Sequence, residues 1–226
     1  MKQCFQNSSF TIPLRPDSKL EELIKPYCVI NTYKERTKIL EFGDAIDGTY
    51  YVKSGRVKLY ILSDDGSEKI LYTLSAGWFF GETPMLLDNH TELTTETMER
   101  SEIWKLPRPF YTKIFNQHES FRNAIMLNLC RKTLILRHEV ENLVFSSVKE
   151  RILHLFCSTV NSHKLIDDVW HPLYTSYTQY EVSTIVGSAR VTTSKLINEL
   201  CKEGKIRIVN RKIQVRSDIY LETIEE

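Results

Sequence analysis

The sequence predicts an α+β chain in three parts: a strand-rich roll of jelly-roll type at 1–117, one long helix at 118–145, and a winged helix-turn-helix at 146–226. Three observations predict it. Before the long helix, short alternating strands are separated by glycine corners. The stretch from His118 to Val144 contains no Pro and no Gly and is long enough for about seven helical turns. After it come two capped helical segments separated by Gly187, then a basic hairpin.

From Val29 the period is that of strands. Thr37–Leu40 leads into Gly43-Asp44, and Thr49–Val52 into Ser54-Gly55. Val57, Leu59 and Ile61 alternate with Arg56, Lys58 and Tyr60, which predicts a half-buried strand. Asp64-Asp65-Gly66-Ser67 is a hairpin turn, Ile70, Tyr72 and Leu74 form the return strand, and another strand runs near Ser101–Leu106. Upstream, Asp17–Lys25 fits a short helix stopped by Pro26. Short strands at this spacing indicate a jelly roll or barrel-like sandwich.

In the long helix, Met126, Leu129, Thr133, Leu136, Val140 and Leu143 recur in steps of three and four. That is a heptad seam, the period with which one helix lies along another. Phe121, Ile125 and Ile135 form a second row that can seat a domain, and Arg122, Arg131, Arg137, His138 and Glu141 are left for the outer surface. A core helix inside one large domain is the alternative. The unlike segments on either side favour a dimer axis that joins two domains.

In the C-terminal third, Ser147 with Glu150 and Thr178 with Glu181 match the capping-box spacing. The first starts a helix over about Val148–Val160; the second starts a short helix burying Val182, Ile185 and Val186. After Gly187 the next helix turns Thr193, Leu196, Ile197 and Leu200 inward and shows Ser188, Arg190, Val191, Ser194 and Lys195 near its start. Ile206 and Ile208, then Asn210-Arg211, then Ile213 and Val215 make a wing with Arg211 at its tip. This order is that of a helix-turn-helix whose second helix enters the major groove. Charge agrees: residues 187–216 hold eight Lys or Arg and two Glu, a net of +6 on a chain of net +1. Double-stranded DNA is the expected partner.

Composition excludes other classes. No run approaches the roughly 18 apolar residues of a membrane span, and the N-terminus lacks a signal-peptide core, so a cytoplasmic protein without membrane contact is expected. Five cysteines, scattered and without Cys-x-x-Cys, predict reduced thiols. A jelly roll can also be a cupin-like metalloenzyme, but inner-strand imidazole and carboxylate ligands are missing: the strands offer only His90. His163, Asp167, Asp168 and His171 lie in a polar connection and are expected to be solvated. No nucleophile elbow or phosphate-cradling loop is present. The expectation is no enzyme, no metal and no resident cofactor.

These residues, in order, resemble the cyclic-AMP receptor/FNR (CRP/FNR) superfamily of bacterial transcription regulators over nearly the whole chain. The resemblance rests on Gly43-Asp44, Ser54–Val57, Asp65-Gly66-Ser67, Phe80-Gly81-Glu82, the central helix, and Thr178-Gln179-Tyr180-Glu181 through Lys195. It implies a homodimer with a cyclic-nucleotide-binding-like β-roll sensor, a dimerisation helix and a winged helix-turn-helix. A small effector between roll and helix would control promoter binding and contact with RNA polymerase, as an activator. Members that bind cyclic nucleotides carry Arg-Ser about ten residues after Gly-Glu to grip the phosphate. Here Glu92-Leu93 stands there, and a carboxylate repels phosphate. Oxygen-sensing members use an N-terminal cysteine cluster that Cys4 and Cys28 cannot supply.

Asp65–Tyr72 and Val191–Lys195 are most similar to the halophenol-responsive CprK type. That likeness implies a phenolic or halogenated aromatic effector, with Tyr72 as a ring or hydroxyl contact, Lys132 as counter-charge to a phenolate, and Gly81, Leu129 and Thr133 nearby. For Lys132 a solvent-facing role, and for Tyr72 simple core packing, stay open. Glu82 departs from that type, which has Lys there. Toward DNA, Thr178 and Gln179 would hold the backbone, Arg190 and Lys195 would contact bases or phosphates, and Val191 would meet a thymine methyl. An A/T-rich palindrome with half-sites about one helical turn apart is expected. A regulator permanently competent for DNA, or one switched by oxidation of Cys4 and Cys201, is the alternative.

Overall fold

The computed structural model describes Leu14 and residues 16–225, with side chains up to Leu221. The chain forms two compact units that divide between Thr133 and Leu134.

The first unit opens with α1 (Ser18–Ile24), where the Asp17 carboxylate accepts from the Lys19 and Leu20 amides. Pro26 does not stop the chain dead. It sits at the start of a 3₁₀ turn, Lys25–Tyr27, which tightens the helix end, because the first residues of a helix need no amide donor. Next come β1 (Val29–Tyr33), β2 (Lys38–Leu40), β3 (Gly48–Ser54), β4 (Arg56–Leu62), β5 (Glu68–Ser75), β6 (Phe79–Phe80), α2 (Glu82–Leu86), β7 (Thr94–Thr97), β8 (Ser101–Pro107) and α3 (Arg108–Gln117). Two antiparallel sheets, ordered β1-β8-β3-β6 and β2-β7-β4-β5, make the roll. Tyr51, Trp78, Phe79, Phe80, Leu74 and Leu106 fill its core. Glu21 on α1 anchors to β3 by accepting from the Tyr51 hydroxyl at 3.0 Å and the Lys53 ammonium at 2.6 Å. At Gly55, φ is +82° and a Cβ would lie 2.3 Å from Ser101 Oγ, so only glycine fits this corner.

The β4 strand departs from simple alternation. Lys58 and Tyr60 are buried, whereas Ile61 is exposed. Pairing jumps from Leu59–Tyr72 to Tyr60–Ile70, so Leu71 bulges without an opposite number. Lys58 tolerates burial because Glu68 (2.7 Å) and Glu96 (3.5 Å) pair with it.

The long helix, α4 (Glu119–Phe145), runs 27 residues through the boundary between the units. The second unit continues with α5 (Val148–Ser158), β9 (Trp170–Pro172), α6 (Gln179–Val186), α7 (Arg190–Lys202), β10 (Ile206–Val209), β11 (Lys212–Arg216) and α8 (Ser217–Glu225). Both capping boxes form: Ser147 with Glu150 on α5, and Thr178 with Glu181 on α6. Thr178→Ala should therefore cost about 1 kcal/mol, read as a lower urea midpoint at unchanged slope. α5 ends at Ser158, two residues short of the expected Val160, because Thr159 closes it with its hydroxyl on the Leu155 carbonyl. Leu196 on α7 is only half-buried, while Thr193, Ile197 and Leu200 are buried.

The connection after α5 is not a solvated polar loop throughout, since β9 adds a third strand to the wing, in the order β10-β11-β9. His171 on β9 is buried, with Nδ1 3.0 Å from the Lys164 carbonyl and Nε2 3.3 Å from Ser217 Oγ, while His163, Asp167 and Asp168 are exposed. No group of three or more His, Cys, Asp or Glu able to hold a metal forms among the described residues. The wing turn places Asn210 at φ +49° and Arg211 at φ +64°, the left-handed pair of a type I′ hairpin.

Candidate effector and nucleic-acid sites

In the first unit, Gly81 takes φ +78° and delivers Glu82 at the start of α2. Glu82 is 1% exposed, and its Oε1 lies 2.5 Å from Lys132 Nζ on α4. Asn128, one helical turn before Lys132, is buried on the same face and donates from Nδ2 to the Phe79 carbonyl at 3.4 Å. The Tyr72 ring centroid lies 6.0 Å from Lys132 Nζ. Burial first, then the Glu82 charge, pushes the Tyr72 phenol up to about 12, and Tyr111 up to about 12 for the same two reasons. Tyr111 joins the group through Phe121, whose ring stands edge-on to both Tyr111 (5.4 Å) and Phe79 (5.9 Å).

The structure thus brings together Tyr72, Gly81, Glu82 and Lys132. Leu129 is half-buried, and exposed Thr133 donates back to the Leu129 carbonyl along its own helix. Lys132 is not solvent-facing, and its charge is already matched by Glu82. Asn128, Phe79 and Tyr111 were not foreseen. Asn128 was findable, since it lies four residues before Lys132; Tyr111 carries no local signal.

On α4, Phe121, Ile125 and Ile135 are buried, whereas Met126, Leu136, Val140 and Leu143 along the heptad seam stay exposed. An apolar stripe of this length on one helix marks an association surface.

In the second unit, the first turns of α7 present Arg190, Val191 and Lys195 to solvent, with Ser194 and Ser188 half-buried. Val191 is 82% exposed. Gly187, at φ +67°, ends α6, and the Ser188 amide donates to the Ser183 carbonyl at 3.0 Å, which sets the turn between the helices. Ala189 caps α7 without any side-chain acceptor, so its first amides are open to a phosphate. Thr178 and Gln179 are exposed at the start of α6, and Arg211 is exposed at the wing tip. Thr192, Asn198 and Tyr180 are exposed on the same two helices and were not singled out from sequence. Part of the basic charge is already committed. Arg207 pairs with Asp167 at 2.7 Å and stacks 4.7 Å from the Trp170 ring centroid, and Arg216 grips Asp218.

The cyclic nucleotide-binding domain family matches residues 30–118, the part that holds both sheets and Glu82. The cyclic AMP receptor protein of Thermus thermophilus is 25% identical over 203 residues, covering 90% of this chain and 91% of that protein. Over most of its length this chain is similar to transcription regulators of the CRP/FNR type. Family members are regulators and not enzymes, which sets the cupin-like alternative aside. Solved structures share the fold. A CooA mutant from Carboxydothermus hydrogenoformans superposes with a TM-score of 0.81 at 19% identity, over 96% of this chain and 98% of that one. CprK complexed with OCPA gives 0.74 at 22%, over 93% and 97%. In this chain, Glu92 is exposed and Leu93 half-buried in the bend before β7. Neither offers a cation to a cyclic phosphate.

Proposed function

We propose that this chain is a cytoplasmic, homodimeric, sequence-specific DNA-binding regulator of the CRP/FNR type, an activator working through RNA polymerase. Its β-roll takes a small effector other than cyclic AMP, beside Glu82 and Lys132. The observation that carries the DNA reading is the start of α7: Arg190, Val191 and Lys195 project from an uncapped helix end, and none of them makes an ion pair among the described residues. The roll reading rests on the buried Glu82–Lys132 pair and the exposed Glu92. Among the described residues no helix is long and apolar enough to cross a membrane.

Binding-site selection should return a palindrome with A/T-rich half-sites, because Val191 offers a thymine methyl an apolar contact and has no acceptor for cytosine N4. A G/C-rich half-site would contradict this. Arg190→Ala should weaken binding to the selected site by about 1–3 kcal/mol, and affinity should fall steeply with salt as counterions are released. A thiol switch is disfavoured: burial raises the Cys201 thiol, away from the reactive thiolate, and Cys4 lies outside the described residues. Equal affinity for DNA with and without reductant is the expected outcome. Binding that needs no additive at all would favour a permanently competent regulator.

A further inference from the structure

We propose that Asp167 stands in for a nucleic-acid phosphate: it holds the Arg207 guanidinium, so that the wing carries one phosphate contact in masked form. This rests on the DNA-binding reading above and deepens it. Opposed residues of an antiparallel sheet share a face. The pairings Arg207–Gln214, Gln214–Pro172 and Arg216–Trp170 therefore put Arg207, Gln214, Arg216 and Trp170 on one side of the β10-β11-β9 sheet. Ile206, Val215 and His171, all buried, take the other side. The wing thus turns its strand arginines away from the core, on the strands that lead to and from Arg211.

The two arginines are held differently. Arg216 meets Asp218 through two bonds of 2.7 and 2.8 Å, and the same carboxylate accepts from the Ile219 amide at the start of α8, so this pair belongs to the fold. Arg207 gives Asp167 a single bond of 2.7 Å, while its Nε donates to Gln214 Oε1 at 2.7 Å. Its Cζ lies 4.7 Å from the Trp170 ring centroid, a contact that engages the face of a guanidinium and leaves its edge to acceptors. The remaining N–H donors of Arg207 have no acceptor among the described residues. The Asp167 side chain is 69% exposed, so solvent screens the pair and a competing oxyanion can reach it. A phosphate oxygen is such an oxyanion, and it matches the guanidinium edge as a carboxylate does. Asp167 and Asp168, at φ +52° and +55°, form the turn between the bridged residues Ile166 and Trp170. Glycine or asparagine suits a left-handed turn of this kind without any charge. What the carboxylate adds is its hold on Arg207.

The test is the salt dependence of binding to random-sequence duplex DNA, read by fluorescence anisotropy on the full chain. Each phosphate contact adds about 0.9 to the slope of log affinity against log salt. Asp167→Asn keeps a residue that accepts the left-handed turn and should steepen the slope by about 0.9, with about eightfold tighter binding at about 0.1 M salt. Asp168→Asn removes the same charge from an exposed neighbour that makes no ion pair among the described residues, and it should leave the slope unchanged. Arg207→Gln should leave the slope of the parent chain unchanged and cancel the steepening when added to Asp167→Asn. Equal slopes for the two aspartate variants overturn the proposal, and that comparison decides by itself if Arg207→Gln does not fold. A shallower slope on Arg207→Gln alone also overturns it, since Arg207 would then already touch phosphate. Absence of duplex binding by every variant, even at low salt, would sink the regulator reading and this proposal together; binding with equal slopes sinks the proposal alone.

Discussion

The double variant Leu136→Glu/Val140→Glu is expected to sediment as a folded monomer and to lose duplex binding. Both side chains lie exposed on the seam of α4, 37% and 58%, so charging them leaves the intramolecular core untouched. In a two-fold dimer each appears twice. Burying what remains exposed of four such side chains contributes about 3–6 kcal/mol, roughly half of what full burial of each would give. Four carboxylates brought together in that seam would add repulsion to the loss. DNA binding should fail with it, because a palindrome is read by two recognition helices spaced about one turn apart. A variant that still sediments as a dimer would show that α4 is not the association surface.

Lys132→Met should lower stability by about 3–5 kcal/mol, because it strands a carboxylate that is 1% exposed. The isosteric double variant Glu82→Gln/Lys132→Met should recover most of that loss, since a buried ion pair and a well-packed neutral pair are of similar worth. A double-mutant cycle by urea unfolding reads the coupling directly. Strictly additive losses would mean that the 2.5 Å pair in the structure carries no energy of its own.

What was legible in the sequence was local. The seam of α4 follows from steps of three and four, and the starts of α5 and α6 from Ser147 with Glu150 and Thr178 with Glu181, because each capping box closes within one turn. The buried face Phe121–Ile125–Ile135 follows from the same period. Nonlocal pairings were not legible. Glu82 and Lys132 are 50 residues apart, and nothing near either one announces the other. The burial of Lys58 and Tyr60 depends on a bulge at Leu71 in the neighbouring strand, which alternation within β4 cannot reveal. His171 reads as a loop residue until β11 provides its strand partner. In the second unit the motif places Arg190, Val191 and Lys195 at the start of α7, but that Arg207 and Arg216 are held by Asp167 and Asp218 emerges only from the fold.

The left-handed pair at the wing tip has a thermodynamic implication of its own. Arg211 holds φ +64°, where a residue with a Cβ is disfavoured by about 1–2 kcal/mol and glycine is not. The hairpin therefore stores strain at an exposed position that carries a guanidinium. Relaxing that turn with glycine would make the unit more robust and, on the function proposed above, a poorer ligand for a polyanion. On that same function, durability and recognition are set against each other at one residue.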